Sequence, residues 1–253
     1  MMAKLPDFII IGAMKCGTTS LWRNLDRHPG ITMGKNYDDP KKTSTEIRFF
    51  NNAGPYHNWN RGVEWYKQCF RGDYGGEKCA NYVESAKAIQ RMKNIVPSVK
   101  LILCIRNPID RAYSEYFMQL DTHPRKYPPA FDVAIKKNKG YQHRGKYYQM
   151  LEQNVLPFFS RDQIYIIVQE RVKSNTLSEM NKLYDFLGLP HHDEKIVRVT
   201  FKNRDSVVDG YRQWSSNYRQ KIKPSTLQWM KELYVKPNDR LFDFLGERIE
   251  EWK

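Results

Sequence analysis

Residues 8–21 read FIIIGAMKCGTTSL, and the fold follows from how this stretch is parsed. Phe8 to Ile11 is a short apolar run rich in β-branched residues and closed by Gly12, which predicts a buried strand. A glycine-punctuated turn follows, and Thr18 to Ser20 open a helix. A strand, tight turn and helix N-terminus together aim backbone N–H groups, and the positive end of the helix dipole, at one point. That makes an anion site. The spacing from Gly12 to Gly17 is that of a phosphate-binding loop, but Thr18 stands where a nucleoside triphosphatase has lysine. The nearby cation, Lys15, lies inside the turn instead.

Working outward, Thr19 to Arg27 predicts a short helix with Leu21, Trp22 and Leu25 on one face, stopped at His28-Pro29-Gly30. Residues 34–46 are polar and irregular, a surface loop, before EIRFF (46–50) restores apolar character. Val63, Tyr66, Lys67 and Phe70 suit a helix packed by one face. Residues 72–83 are glycine-rich and then strand-like, and Ala86 to Val96 is helical. The second strong strand is Val99 to Ile105, closed by Arg106-Asn107-Pro108, where proline suits the first turn of a helix. In that helix Tyr113, Tyr116, Phe117 and Leu120 share a face, leaving Arg111, Ser114 and Glu115 on others. Residues 121–130 read as loop and 141–159 as largely helical. A third strand (163–168) and a helix (176–187) follow. The tail holds a strand-like IVRVTF (196–201), a basic stretch at 202–204, and helices near 225–234 and 240–249.

Strands separated by helices predict an α/β fold of the P-loop-like, three-layer kind: a central parallel sheet flanked by helices. No repeat or linker divides the chain, so residues 1–253 are expected to form a single domain. In such sheets ligands bind at the carboxyl ends of the strands. Lys15 and Arg106 therefore fall on one rim.

Lys and Arg total 42 against 28 Asp and Glu, a formal charge of +14, which favours anionic partners. Hydrophobic residues at 40% and aromatics at 13% exclude a disordered chain. No apolar run approaches the roughly 20 residues of a membrane span. The N-terminal MMAKLPD leads straight into the first strand, so no signal peptide is expected. Cys16, Cys69, Cys79 and Cys104 form no CxxC pair, which excludes the usual metal spacing and points to free thiols in a reducing, cytoplasmic setting.

The rim decides between reaction classes. A triphosphate-hydrolysing loop needs lysine after its second glycine, a hydroxyl on Mg²⁺, and an acidic residue ending a second strand. Here Thr18 replaces the lysine, and Arg106 replaces the acid. The expected chemistry is metal-free. Ser114 follows Arg106 by eight residues, about two turns into the helix, so both can serve one phosphate. The alternative is a strand-capping arginine beside a solvated serine. Two anion sites on one rim suit a nucleotide with phosphates at both ends of its ribose. A P-loop kinase or triphosphatase, and a non-enzymatic binder of anionic polymers, are the competing classes.

At these residues the chain resembles a known family. KCGTTSL after one apolar strand and IRNPIDRAYSEY after another resemble the two signature motifs of sulfotransferases that use 3′-phosphoadenosine 5′-phosphosulfate (PAPS). The likeness is closer to the heparan sulfate type, N- and 3-O-sulfotransferases, and to small bacterial or natural-product members. EIRFF, GVEWYKQCF, EKCANY, RGKYYQMLE and LYVKPNDRLFDFLG extend it, in order, from about residue 6 to 250.

The resemblance implies a sulfuryl transfer from PAPS to a hydroxyl or amine of a small metabolite or glycan, releasing PAP, without metal or nucleic acid. It implies that Lys15, Cys16, Gly17, Thr18, Thr19 and Ser20 hold the 5′-phosphosulfate. Lys15 would stabilise the leaving oxygen, and Arg106 and Ser114 would hold the 3′-phosphate. Tyr147 would lie near the nucleotide, and Lys202, Asn203 and Arg204 would form a donor-covering loop, though without the family's glycine. Glu46 matches the family's catalytic base, and Lys78 a lysine beside the transferred group. Glu77 is a candidate partner for Lys78. Arg48 departs from the glutamine or histidine usual two residues after the base.

Overall fold

A computed structural model describes residues 4–38, 45–51, 58–123, 130–192, 207–208, 211–212 and 222–253. In chain order, β1 (Phe8–Gly12) leads to α1 (Thr18–Leu25), and α2 (Gly62–Lys67) precedes β2 (Gly76–Lys78). Then come α3 (Ala86–Ile95), β3 (Lys100–Ile105) and α4 (Pro108–Thr122). Short helices α5 (Phe131–Lys137), α6 (Lys139–His143) and α7 (Tyr147–Met150) follow, the last continuing as a π-helical turn, Leu151–Val155. Next are β4 (Ile164–Val168), α8 (Gln169–Ser174) and α9 (Thr176–Leu187). A small hairpin of β5 (Val207–Val208) and β6 (Tyr211–Arg212) precedes α10 (Pro224–Leu245).

The residues gather into two compact units, Met1–Ile105 with Met150–Val199, and Arg106–Gln149 with Thr200–Lys253. The first holds a four-stranded sheet in the order β2-β1-β3-β4, every pairing parallel. All five residues of β1 are buried, the burial expected of an inner parallel strand. Ile10 sits opposite Lys78 on one side and Ile102 on the other. Gly12, at φ 146°, has no room for a side chain: a Cβ there would lie 2.8 Å from Val83 and 2.9 Å from the Ala80 carbonyl.

In the second unit, Asn107 caps α4 by accepting from the Ile109 and Asp110 amides at 3.0 and 3.4 Å, and Pro108 takes the first turn as its fixed φ favours. Tyr113, Tyr116, Phe131, Ile135, Tyr141, Met230 and Tyr234 form its core. This corrects the reading of 121–130 as wholly loop. Helix α4 runs to Thr122, and Phe131, Ala134 and Ile135 bury one face of α5 in that core. The two expected C-terminal helices are one, α10, passing through Pro237. Tyr234 and Leu241 are both buried, so packing holds the helix on either side of the proline despite its missing N–H. Residues 196–201, expected as a strand, lie outside the described residues.

Candidate active site

The loop after β1 turns on two left-handed residues. Gly17, the N-cap of α1, has φ 87°, and Lys15 has φ 69°, unusual for a side-chain-bearing residue and costing roughly 1–2 kcal/mol. The Ala13 amide donates to the Cys104 carbonyl at 2.8 Å and the Cys79 amide to the Ile10 carbonyl at 3.0 Å, tying the loop's start to the carboxyl ends of β2 and β3. No side chain caps α1, whose first main-chain bond runs from the Leu21 amide to the Gly17 carbonyl. The amides of Thr18, Thr19 and Ser20 therefore lie in the turn that a helix leaves for an anion. Thr18 and Cys16 are buried, Lys15 and Ser20 are half-buried, and Thr19 is exposed.

Glu46 is carried by a segment that packing holds firmly. Its neighbours Ile47, Phe49 and Phe50 are fully buried, and each such side chain contributes about 1.5–3 kcal/mol of burial. Phe49 stacks on Tyr66 at 4.2 Å between ring centroids. The Asn58 side chain donates to the Ile47 carbonyl at 2.7 Å, and Arg91 donates to the carbonyls of Phe50 and Asn51 at 3.2 and 3.0 Å. The carboxylate projecting from this segment accepts from Lys78 Nζ at 3.1 Å and the Ala80 amide at 3.2 Å on one oxygen, and from Arg48 Nε at 3.0 Å on the other. Burial pushes its pKa upward, but the Lys78 and Arg48 charges and the hydrogen bonds outweigh it, holding the carboxyl below its usual range.

Lys78 is only 3% exposed, so it is no solvated surface lysine. Its Nζ also donates to Thr19 Oγ1 at 3.2 Å, joining the base segment to the first turn of α1. Glu77 does not pair with it. Successive strand residues point to opposite faces, and Glu77 faces a buried pocket of Tyr66, whose hydroxyl donates at 2.5 Å, and Tyr82 at 3.3 Å. Burial drives the Glu77 carboxyl up to about 8.

The second unit holds Arg106, Ser114 and Tyr147, all buried. The buried position of Ser114 removes the reading of a solvated serine. Tyr147 braces the main chain of Arg106, accepting from its amide at 3.4 Å and donating to its carbonyl at 2.7 Å. Arg111 and Glu115, expected away from the packed face, form a fully buried ion pair at 2.7 Å, and Arg144 also donates to Glu115. The helical i,i+4 spacing of the first pair is a readable signal; Arg144 carries none. Lys202, Asn203 and Arg204 lie outside the described residues. Among the described residues no group of three or more His, Cys, Asp or Glu is arranged for a metal ion, and no helix is long and apolar enough to cross a membrane. The four cysteines are free and buried.

A parallel sheet with a phosphate-type loop after β1, a cation inside that loop and a carboxylate–lysine pair beside its helix defines an α/β group-transfer enzyme. The family model described as the sulfotransferase domain matches residues 5–235, and the chain belongs to that family. Over 220 residues it is 32% identical to the mouse bifunctional heparan sulfate N-deacetylase/N-sulfotransferase 4, covering 78% of this chain and 24% of that protein. It is 33% identical over 209 residues to the human N-deacetylase/N-sulfotransferase 3, covering 75% of this chain and 23% of that protein. The chain thus spans about a quarter of the length of these curated relatives. In fold it is similar to a sulfotransferase from Alicyclobacillus acidocaldarius, with a TM-score of 0.73, 23% identity, and coverage of 98% of this chain and 99% of that one. A mouse sulfotransferase complexed with PAP gives a TM-score of 0.64 at 14% identity, covering 93% of this chain and 84% of that one.

Proposed function

We propose that the chain transfers the sulfuryl group of PAPS to an acceptor hydroxyl or amine, in line and without metal, with Glu46 as general base. The observation that carries this reading is Lys78, whose buried ammonium bonds both Glu46 and Thr19 and so sets the base against the donor-side helix. The amides of Thr18, Thr19 and Ser20 and the loop of Cys16 and Gly17 bind the 5′-phosphosulfate. Arg106 and Ser114 bind the 3′-phosphate, and Tyr147 holds the Arg106 main chain.

In the reaction the acceptor heteroatom forms a bond to sulfur as the bridging S–O bond breaks. The electron pair goes to the 5′-phosphate oxygen of PAP, where Lys15 stabilises the charge. The acceptor proton goes to Glu46, which its two cationic neighbours keep ionised. Lys78 steadies the same carboxylate and stands beside the transferred group. The relatives named for heparan sulfate favour a glycan acceptor and N-sulfation. The acceptor class is a glycan or a small metabolite, and free buried thiols suit a cytoplasmic setting.

The test incubates the protein with PAPS in EDTA and a panel of glycans, amines and alcohols, and reads products by mass. An added sulfate on one acceptor and release of PAP are expected. Turnover of ATP requiring Mg²⁺, with no sulfated product, would replace this reading with that of a kinase or triphosphatase.

A further inference from the structure

Arg48 is where the site departs from a bare base and its lysine. Both carboxylate oxygens of Glu46 are engaged, one by Lys78 and Ala80, the other by Arg48. The two cations differ in kind. The Lys78 side chain is 4% exposed and fixed also to Thr19, whereas that of Arg48 is 38% exposed. Arg48 also sits at φ 56°, in the left-handed region that a long side chain avoids, between fully buried Ile47 and Phe49. Its carbonyl accepts from the Asn58 amide at 3.3 Å, which helps hold the kink. Strain of this sort persists where surrounding packing imposes it, and it turns the guanidinium back onto Glu46.

A base whose second oxygen is held by a guanidinium is a weakened base. An acceptor proton delivered to that oxygen competes with Arg48, whose bond takes one of its two lone pairs and lowers its basicity. The group best fitted to draw Arg48 away is another carboxylate, because a guanidinium binds carboxylates through the same planar fork. We infer that Arg48 recognises a carboxylate on the acceptor, adjacent to the nucleophilic hydroxyl or amine, and releases Glu46 Oε2 when it does so. The acceptor class is therefore an anionic one, such as a uronate-containing glycan or a carboxylated metabolite. Arg48 is a positioning and specificity residue, not a catalytic one. This rests on the sulfotransferase reading above.

The test compares an unsulfated uronate–glucosamine tetrasaccharide having free amines with its carboxyl-reduced twin, using wild type, Arg48→Gln and Arg48→Lys. Binding is measured by calorimetry with and without PAP, and transfer from PAPS by mass. Wild type should favour the carboxylate form at least about tenfold, as for a lost charge-assisted bond. The preference should fall to near unity in Arg48→Gln and be intermediate in Arg48→Lys, which keeps charge without the fork. Melting curves confirm that both variants fold. Equal or equally absent binding of the twins by wild type overturns the inference, as does an undiminished preference in Arg48→Gln. Failure of wild type to bind PAP contradicts the donor reading instead, so the two claims fail separately.

Discussion

Lys78 Nζ lies 3.1 Å from Glu46 Oε1, and both groups are largely withdrawn from solvent. Little water screens the pair, so removing one member leaves the other as an uncompensated charge. Their relationship orders the unit that carries them. β2 supplies the lysine through its inward-facing last residue, and the 46–50 segment supplies the carboxylate because Ile47, Phe49 and Phe50 anchor it.

Replacing Lys78 by methionine removes the larger of the two charges that lower Glu46 and leaves burial to raise it. In wild type the ionised base is lost as pH falls through a value below the ordinary 4.5. In Lys78→Met that acid limb of kcat/KM should move to higher pH, with a loss of about 10²–10³ in rate at neutral pH. The stability that ionised Glu46 contributes has the same sign, present above its unfolded value and lost below its folded one. A pH–rate profile identical to wild type would separate Lys78 from the base.

Glu77 behaves in the opposite sense. Its folded value near 8 lies above the unfolded 4.5, so the stability it contributes is fully present below 4.5 and is lost as pH rises to about 8. Glu77→Gln keeps an acceptor for the Tyr66 and Tyr82 hydroxyls without a proton to lose. Thermal melts should show the variant gaining on wild type between pH 5 and about 8, and parallel curves would contradict this.

In the second unit, Arg111 is fully buried and Glu115 is 1% exposed. Glu115→Ala should cost about 3–5 kcal/mol in urea unfolding, because it strands the Arg111 charge. A double substitution, Arg111→Leu with Glu115→Leu, should recover much of that loss. A single-variant loss below about 1 kcal/mol would show the pair to be solvated.

Much of this was legible in the chain. The run FIIIG and the asymmetry of Lys15 against Thr18 specify a strand and a phosphate loop, and Asn107-Pro108 is a readable helix start. Other features depend on contacts between distant residues. No local signal says that Lys78 reaches Thr19, 59 positions away, or that Glu77 turns toward Tyr66 and Tyr82. Helix α5 was hidden because its apolar residues follow a proline-rich stretch and find their partners on α4 and α10. Pro237 disguised α10 as two helices, since burial and not local propensity carries it through.

The base assignment is the central claim, and single-turnover transfer by Glu46→Gln tests it most directly. Glutamine retains an acceptor for Lys78 but cannot take a proton. Sulfate transfer from PAPS should fall by about 10²–10⁴ with PAP affinity unchanged. The melting temperature should fall because buried Lys78 loses its counter-charge, so rates are compared well below the variant's own melt. Near-normal turnover in Glu46→Gln would contradict the account.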